Sequence, residues 1–128
     1  MSADDIELAR ASAACAKLFD VPMVGLPGSA HEQAASEAGV KFIPEWYIDL
    51  QYDDAGSLAP PDRKTYQPAS EQDVIARVTR LLTTREYATL SGKTLNWPAP
   101  TVSICVHGDL PGATGLAASV RKAIDALQ

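Results

Sequence analysis

With 128 residues, 46% of them hydrophobic and 21% charged, the chain has an ordinary globular composition and fits a single domain over residues 1–128 that buries roughly two-thirds of the surface its unfolded form exposes. No apolar run approaches the roughly 20 residues that span a bilayer, and a net charge of −5 with 11 scattered basic residues repels phosphate backbones, so membrane and nucleic acid are both poor partners. The acidic opening Met1-Ser2-Ala3-Asp4-Asp5-Ile6-Glu7 lacks the basic and apolar regions of a secretory signal, and Cys15 and Cys105 are too few for a disulfide scaffold, which points to a cytoplasmic chain with two reduced, buried thiols.

From Asp4 to Phe19, apolar and small residues recur at helical spacing and predict a first helix. Val21-Pro22-Met23-Val24-Gly25-Leu26 is a short apolar run that suits a buried strand. Ser29, with Glu32 three residues on, has the spacing of a capping box, and Gly39 ends the helix that follows. Val40 to Glu45 then reads as a second buried strand, parallel to the first through a short crossover. The stretch from Trp46 to Ala69 contains Pro60, Pro61 and Pro68 among several Asp residues, and is a long loop of the functional kind. Ser70-Glu71-Gln72-Asp73 opens a third helix, and Ser91-Gly92 marks a hairpin turn between Tyr87 and Trp97. Thr101 to Val106 is the strongest strand, and Pro111-Gly112 begins the last helix. The alternation predicts an α/β fold with a mainly parallel sheet and flanking helices, open or part of a barrel.

In such folds ligands bind beyond the carboxyl ends of the strands, which selects two places. His107-Gly108-Asp109 follows the last strand and sets an imidazole and a carboxylate two residues apart, an arrangement suited to proton transfer if the Asp fixes the His tautomer. The plain alternative makes Asp109 the cap of the final helix and His107 a satisfied polar residue. Glu45 and Asp49, with Trp46, Tyr47 and Tyr52, form the second place, where two carboxylates four residues apart could bind a cation or divide acid and base roles; the alternative is solvated loop charge. His31 reads as a surface residue. Gly25-Leu26-Pro27-Gly28-Ser29 could offer backbone N–H groups to an anion but lacks the Lys-Ser/Thr ending of a phosphate loop. Neither a Gly-x-Ser-x-Gly elbow nor a His-Glu-x-x-His helix occurs, and neither cysteine lies in a CxxC pair or beside a cluster of metal-ligand types.

Val-Pro-Met-Val-Gly-Leu-Pro-Gly at Val21–Gly28, Ala34-Ala35-Ser36-Glu37-Ala38-Gly39, Glu45-Trp46-Tyr47-Ile48-Asp49 with Tyr52, Gly56-Ser57-Leu58, and above all Ile104-Cys105-Val106-His107-Gly108-Asp109 resemble the LamB/YcsF family, in its C-terminal half. The resemblance implies half of a deacetylase-like distorted (β/α) barrel and a part in ATP-dependent opening of 5-oxoproline to glutamate. It makes Glu45, Asp49, His107 and Asp109 the retained catalytic pocket; independently of the resemblance, the aromatic residues Trp46, Tyr47, Tyr52 and Trp97 near it would suit substrate binding, with plain core as the alternative. The chain itself would bind no cofactor; ATP would enter through partner subunits. Where the family places two arginines, this sequence has Leu50 and Pro61, which removes two cations suited to binding an anion. The Asp-x-Asn, Gly-Ala-His-Pro and Lys-Pro-His-Gly motifs of the family's N-terminal half have no counterpart here.

A half-barrel would expose sheet edges and apolar faces, which predicts a homo-oligomer or docking to partner subunits. Three functions follow: a lactam-acting protein of the 5-oxoprolinase type, a truncated scaffold reassigned to a stand-alone isomerase, cyclase or dehydratase reaction on a small metabolite, or a non-catalytic interaction module.

Overall fold

The computed structural model describes residues 4–59 and 61–128. The opening Met1-Ser2-Ala3 and Pro60 of the long loop lie outside the described residues. In chain order the elements are α1 (Ile6–Leu18), β1 (Met23–Gly25), α2 (Ala30–Ala38), β2 (Phe42–Tyr47), β3 (Gln51–Tyr52), β4 (Leu58–Ala59), α3 (Glu71–Thr84), β5 (Glu86–Ala88), β6 (Thr94–Asn96), β7 (Ser103–Cys105) and α4 (Ala113–Asp125). The fold is α/β with a parallel sheet and flanking helices, and it divides into two compact units: residues up to Trp46 with Pro98–Ile104, and Tyr47–Trp97 with Cys105–Gln128.

The first unit is built on alanine. Ala9, Ala13 and Ala16 bury one stripe of α1, Ala34 and Ala35 bury the matching stripe of α2, and the two helices pack on each other with Met23 beneath them. Small side chains let the backbones approach closely and carry little side-chain entropy to lose. Asp5 starts α1, its Oδ1 accepting the N–H groups of Glu7 at 3.0 Å and Leu8 at 3.2 Å. The sheet has the order β1-β2-β7, and β1 pairs with β2 in parallel register, Met23 beside Phe42 and Gly25 beside Pro44. With α2 between them, β1 and β2 form the predicted crossover unit, and Gly39 closes α2 at φ 68°.

Three local expectations fail here for identifiable reasons. Ser29 precedes α2 but makes no side-chain cap, and its buried Oγ has no partner among the described residues. Glu32 instead reaches one residue further back and accepts the Gly28 N–H at 2.6 Å, so no capping box forms and that N–H is not offered to an anion. Cys15 is exposed, since it lies off the alanine stripe of α1, while Cys105 is half-buried; both are free thiols. His31, in the first turn of α2, is partly exposed.

In the second unit, the long loop contains a small antiparallel hairpin, β3 with β4, in which Tyr52 pairs with Leu58. Asp53 holds its turn, with Oδ1 accepting the N–H groups of Ala55 and Ser57, both at 2.9 Å. Ser70 caps α3 by accepting the Asp73 N–H at 3.2 Å. The predicted hairpin forms as β5 and β6, with Tyr87 beside Leu95 and Gly92 at φ 87° in the turn. Asp54 ties the two hairpins together, accepting from Thr89 Oγ1 at 2.5 Å and Ser91 Oγ at 2.7 Å. Val74, Val78 and Leu81 of α3 and Leu116, Val120 and Ala123 of α4 are buried where these helices pack.

The final helix starts at Ala113, with Gly112 as its cap at φ 78°. A Cβ on Gly112 would lie 3.0 Å from the Pro68 ring, so glycine is needed there both for backbone angle and for space. Asp109 therefore is not the cap, and the plain alternative for that residue is overturned. No helix among the described residues is long and apolar enough to cross a membrane.

Candidate active site

The last β-strand hands the chain to His107, and the end of β2 hands it to Asp49; both residues lie in the second unit. Asp49 has a fully buried side chain, and a buried carboxylate has to find donors or lose the charged form. It finds two on one residue. Asp49 Oδ2 accepts the backbone N–H of His107 at 2.5 Å, and Oδ1 lies 2.8 Å from His107 Nδ1. A carboxylate only accepts, so Nδ1 must carry the proton, and the lone pair of the neutral ring falls on Nε2. About one-third of the His107 side chain is exposed, which leaves that nitrogen within reach of a ligand. The Tyr47 ring stacks on the imidazole with centroids 5.9 Å apart and planes 29° apart, fixing the ring from its face as Asp49 fixes it from its edge.

The sequence singled out His107 and a carboxylate that would select its tautomer, but named Asp109. In the structure that task falls to Asp49, 58 residues away in the chain. Asp109 is exposed and pairs with Arg63, whose Nη2 donates to Oδ2 at 2.5 Å. That hydrogen bond, with the charge of Arg63, holds the Asp109 carboxyl below the usual carboxylate range.

Of the predicted aromatic residues, Tyr47 is the one against the imidazole. Tyr52 is buried, and its hydroxyl accepts the Tyr47 N–H at 2.8 Å, bracing the backbone from which Tyr47 projects; burial pushes its pKa upward and keeps it neutral. Tyr52 also packs edge-on against Tyr87 at 4.9 Å, which meets Trp97 in the same manner at 6.4 Å, an aromatic chain at the core of this unit. Glu45 and Trp46 belong to the first unit, on alternate faces of β2: Glu45 half-buried, Trp46 buried with an indole N–H that has no partner among the described residues.

Beside Asp49 the second unit has a partly open cavity of about 270 Å³, lined by Asp49, Leu50, Pro61, Tyr66, Arg77 and Leu116 among others. Leu50 and Pro61 are the positions where the family resemblance expects arginines. Arg77, in the middle of α3, provides a guanidinium on the same wall and donates from Nη1 to the Ile48 carbonyl at 3.1 Å. Sequence reasoning passed over it. The available signal was a long basic side chain set between Val74 and Val78, at the margin of a buried helical stripe.

Known proteins resemble this chain throughout its length. The model of the LamB/YcsF family matches residues 1–128. The 5-oxoprolinase A subunit of Kocuria rhizophila is 37% identical over 106 residues, covering 83% of this chain and 41% of that protein. The lactam utilization protein lamB of Emericella nidulans is 35% identical over 107 residues, covering 82% and 42%. The crystal structure of the lactam utilization protein from Thermus thermophilus superposes with a TM-score of 0.82 at 29% identity, over 98% of this chain and 49% of that one. The chain thus spans about half the length of the curated relatives it matches, and it belongs to the LamB/YcsF family.

Proposed function

We propose that this chain supplies the proton-transfer group for opening a lactam such as 5-oxoproline, working with partner subunits through which ATP enters. The observation that carries this is the clamp of Asp49 on His107. A carboxylate that accepts both the backbone N–H and Nδ1–H of one histidine sets its Nε2 as an acceptor facing outward. Lactam opening adds water across the C–N bond. His107 Nε2 takes a proton from the attacking water and returns it to the departing nitrogen, while Asp49 and Tyr47 hold the ring in place. Relatives named as 5-oxoprolinase A subunits and as lactam utilization proteins support the substrate class, and the word subunit in the former name supports partners. Glu45 and Asp109 stay candidates for the same chemistry, and Trp46, Tyr47 and Tyr52 for holding substrate.

The test is turnover of 5-oxoproline with ATP, by the chain alone and mixed with the partner subunits of a 5-oxoprolinase. His107→Ala is expected to lower turnover by about 10²-fold or more. Undiminished turnover in that variant rejects the role of His107. Conversion of a different cyclic metabolite without ATP, lost in the same variant, favours a stand-alone isomerase, cyclase or dehydratase.

A further inference from the structure

Among the described residues, Arg77 is a cation without an anion. Arg10, Arg63, Arg80 and Arg121 each pair with a carboxylate, whereas Arg77 donates from Nη1 to the Ile48 carbonyl. That bond anchors one corner of the guanidinium to a residue that is fully buried and leaves the other N–H groups on the cavity wall. Tyr66 lines the same cavity, and its hydroxyl makes no hydrogen bond within the second unit's described residues. The Tyr66 pKa is raised by burial, then by the charge of Asp49, and drawn back by Arg77; all three residues line the cavity.

Two acidic residues, Asp49 and Asp62, line the same cavity, and neither forms an ion pair with Arg77. Both oxygens of Asp49 are taken by His107, and Asp62 accepts the Lys64 N–H at 2.9 Å through Oδ1. Leu50, Pro61 and Leu116 add apolar surface to a lining that also carries the polar side chains of Gln51, Thr65 and Gln67. A volume of about 270 Å³ falls just below the range of roughly 300–1,000 Å³ that holds drug-sized ligands, so it suits a single-ring metabolite.

We infer that this cavity is a carboxylate receptor, in which Arg77 and Tyr66 together bind the carboxylate of a small cyclic acid beside the Asp49–His107 clamp. A planar guanidinium with free donors matches a carboxylate bidentately, and a hydroxyl adds a third bond. Leu50, Pro61 and Leu116 offer apolar surface to the ring. This deepens the proposed function by assigning the part of the substrate that does not react, and it rests on that reading only for the lactam itself.

Calorimetric titration of the full chain with three probes separates the two ideas: 5-oxoproline, 2-pyrrolidinone, which keeps the lactam and lacks the carboxylate, and cyclopentanecarboxylate, which keeps the carboxylate and lacks the lactam. Both acids are expected to bind at least tenfold more tightly than 2-pyrrolidinone. Arg77→Gln should weaken both acids by about tenfold or more, Arg77→Lys by less, and Tyr66→Phe by several-fold, without changing 2-pyrrolidinone. If Arg77→Gln fails to fold, because the Ile48 carbonyl loses its donor, the Lys and Phe variants decide. Equal binding of 5-oxoproline and 2-pyrrolidinone, undiminished acid binding in the folded variants, or no binding of either acid overturns the inference. Binding of cyclopentanecarboxylate alone keeps the receptor and rejects the lactam as the substrate.

Discussion

Asp49 gives both of its oxygens to one residue, so a change there reaches further than the loss of one hydrogen bond. Asp49→Asn keeps the size but places an amide nitrogen against one of two donors. Either the His107 backbone N–H or its Nδ1–H then loses its acceptor, in a site where an unsatisfied buried donor costs about 1–3 kcal/mol. Nitrogen-15 spectra of the neutral imidazole should show the proton on Nδ1 in the wild type and a mixture of tautomers in Asp49→Asn, with turnover lowered alongside. A wild-type spectrum with the proton on Nε2 would reject the clamp. The family resemblance put Asp49 and His107 in one catalytic set, but their pairing was out of reach of spacing: the two are 58 residues apart, and spacing reports neighbours only along a helix or strand. Asp109, two residues from His107, was the visible alternative, and its charge instead answers Arg63.

Elements of this chain differ in whether their local signals hold. Ser70 and Ser29 both precede helices and both have an acidic residue three positions on. Ser70 accepts the Asp73 N–H, whereas the Ser29 Oγ is buried without a partner among the described residues. Ser70→Ala should cost about 1 kcal/mol in urea unfolding, and Ser29→Ala should change stability by less than about 0.5 kcal/mol. A large loss at Ser29 would mean that its hydroxyl makes a bond in solution. The hairpins carry a pH dependence. Hydrogen bonds from Thr89 and then Ser91 lower the Asp54 pKa, so its folded value lies below the unfolded one. Its contribution is complete above the unfolded carboxylate range and is lost as pH falls through the lowered value. Asp54→Ala should thus be less stable than wild type at about pH 7, and the gap should close toward about pH 3. Helices, the parallel pair and the Ser91-Gly92 hairpin were legible because capping residues, glycine at positive φ and apolar runs act locally. The β3–β4 hairpin was not, since two-residue strands have no periodicity to read.

At the scale of the molecule, the chain covers about half of its relatives and leaves large apolar side chains in water. Leu18 is 79% exposed, Phe19 72%, and Val24 on the edge strand β1 46%. An edge strand beside exposed apolar residues is a ready surface for another chain. We expect sedimentation to show concentration-dependent association, or complexes when partner subunits are added, and Phe19→Glu with Val24→Lys to weaken either. A compact monomer in every mixture would reject this. The family was legible from the Ile104–Asp109 block and its companions, because their motifs are contiguous in the chain. The arginine beside the clamp was not, because Arg77 sits on a helix that carries no motif.

The clamp on His107 also links order to proton inventory. One carboxylate holds both the loop's backbone and the ring's tautomer, so a loop that swings away releases the imidazole to redistribute its proton. The site is armed only when its backbone is seated. Amide exchange at His107 should consequently quicken as catalytic competence falls, and a ligand that seats the loop should slow the first while it restores the second.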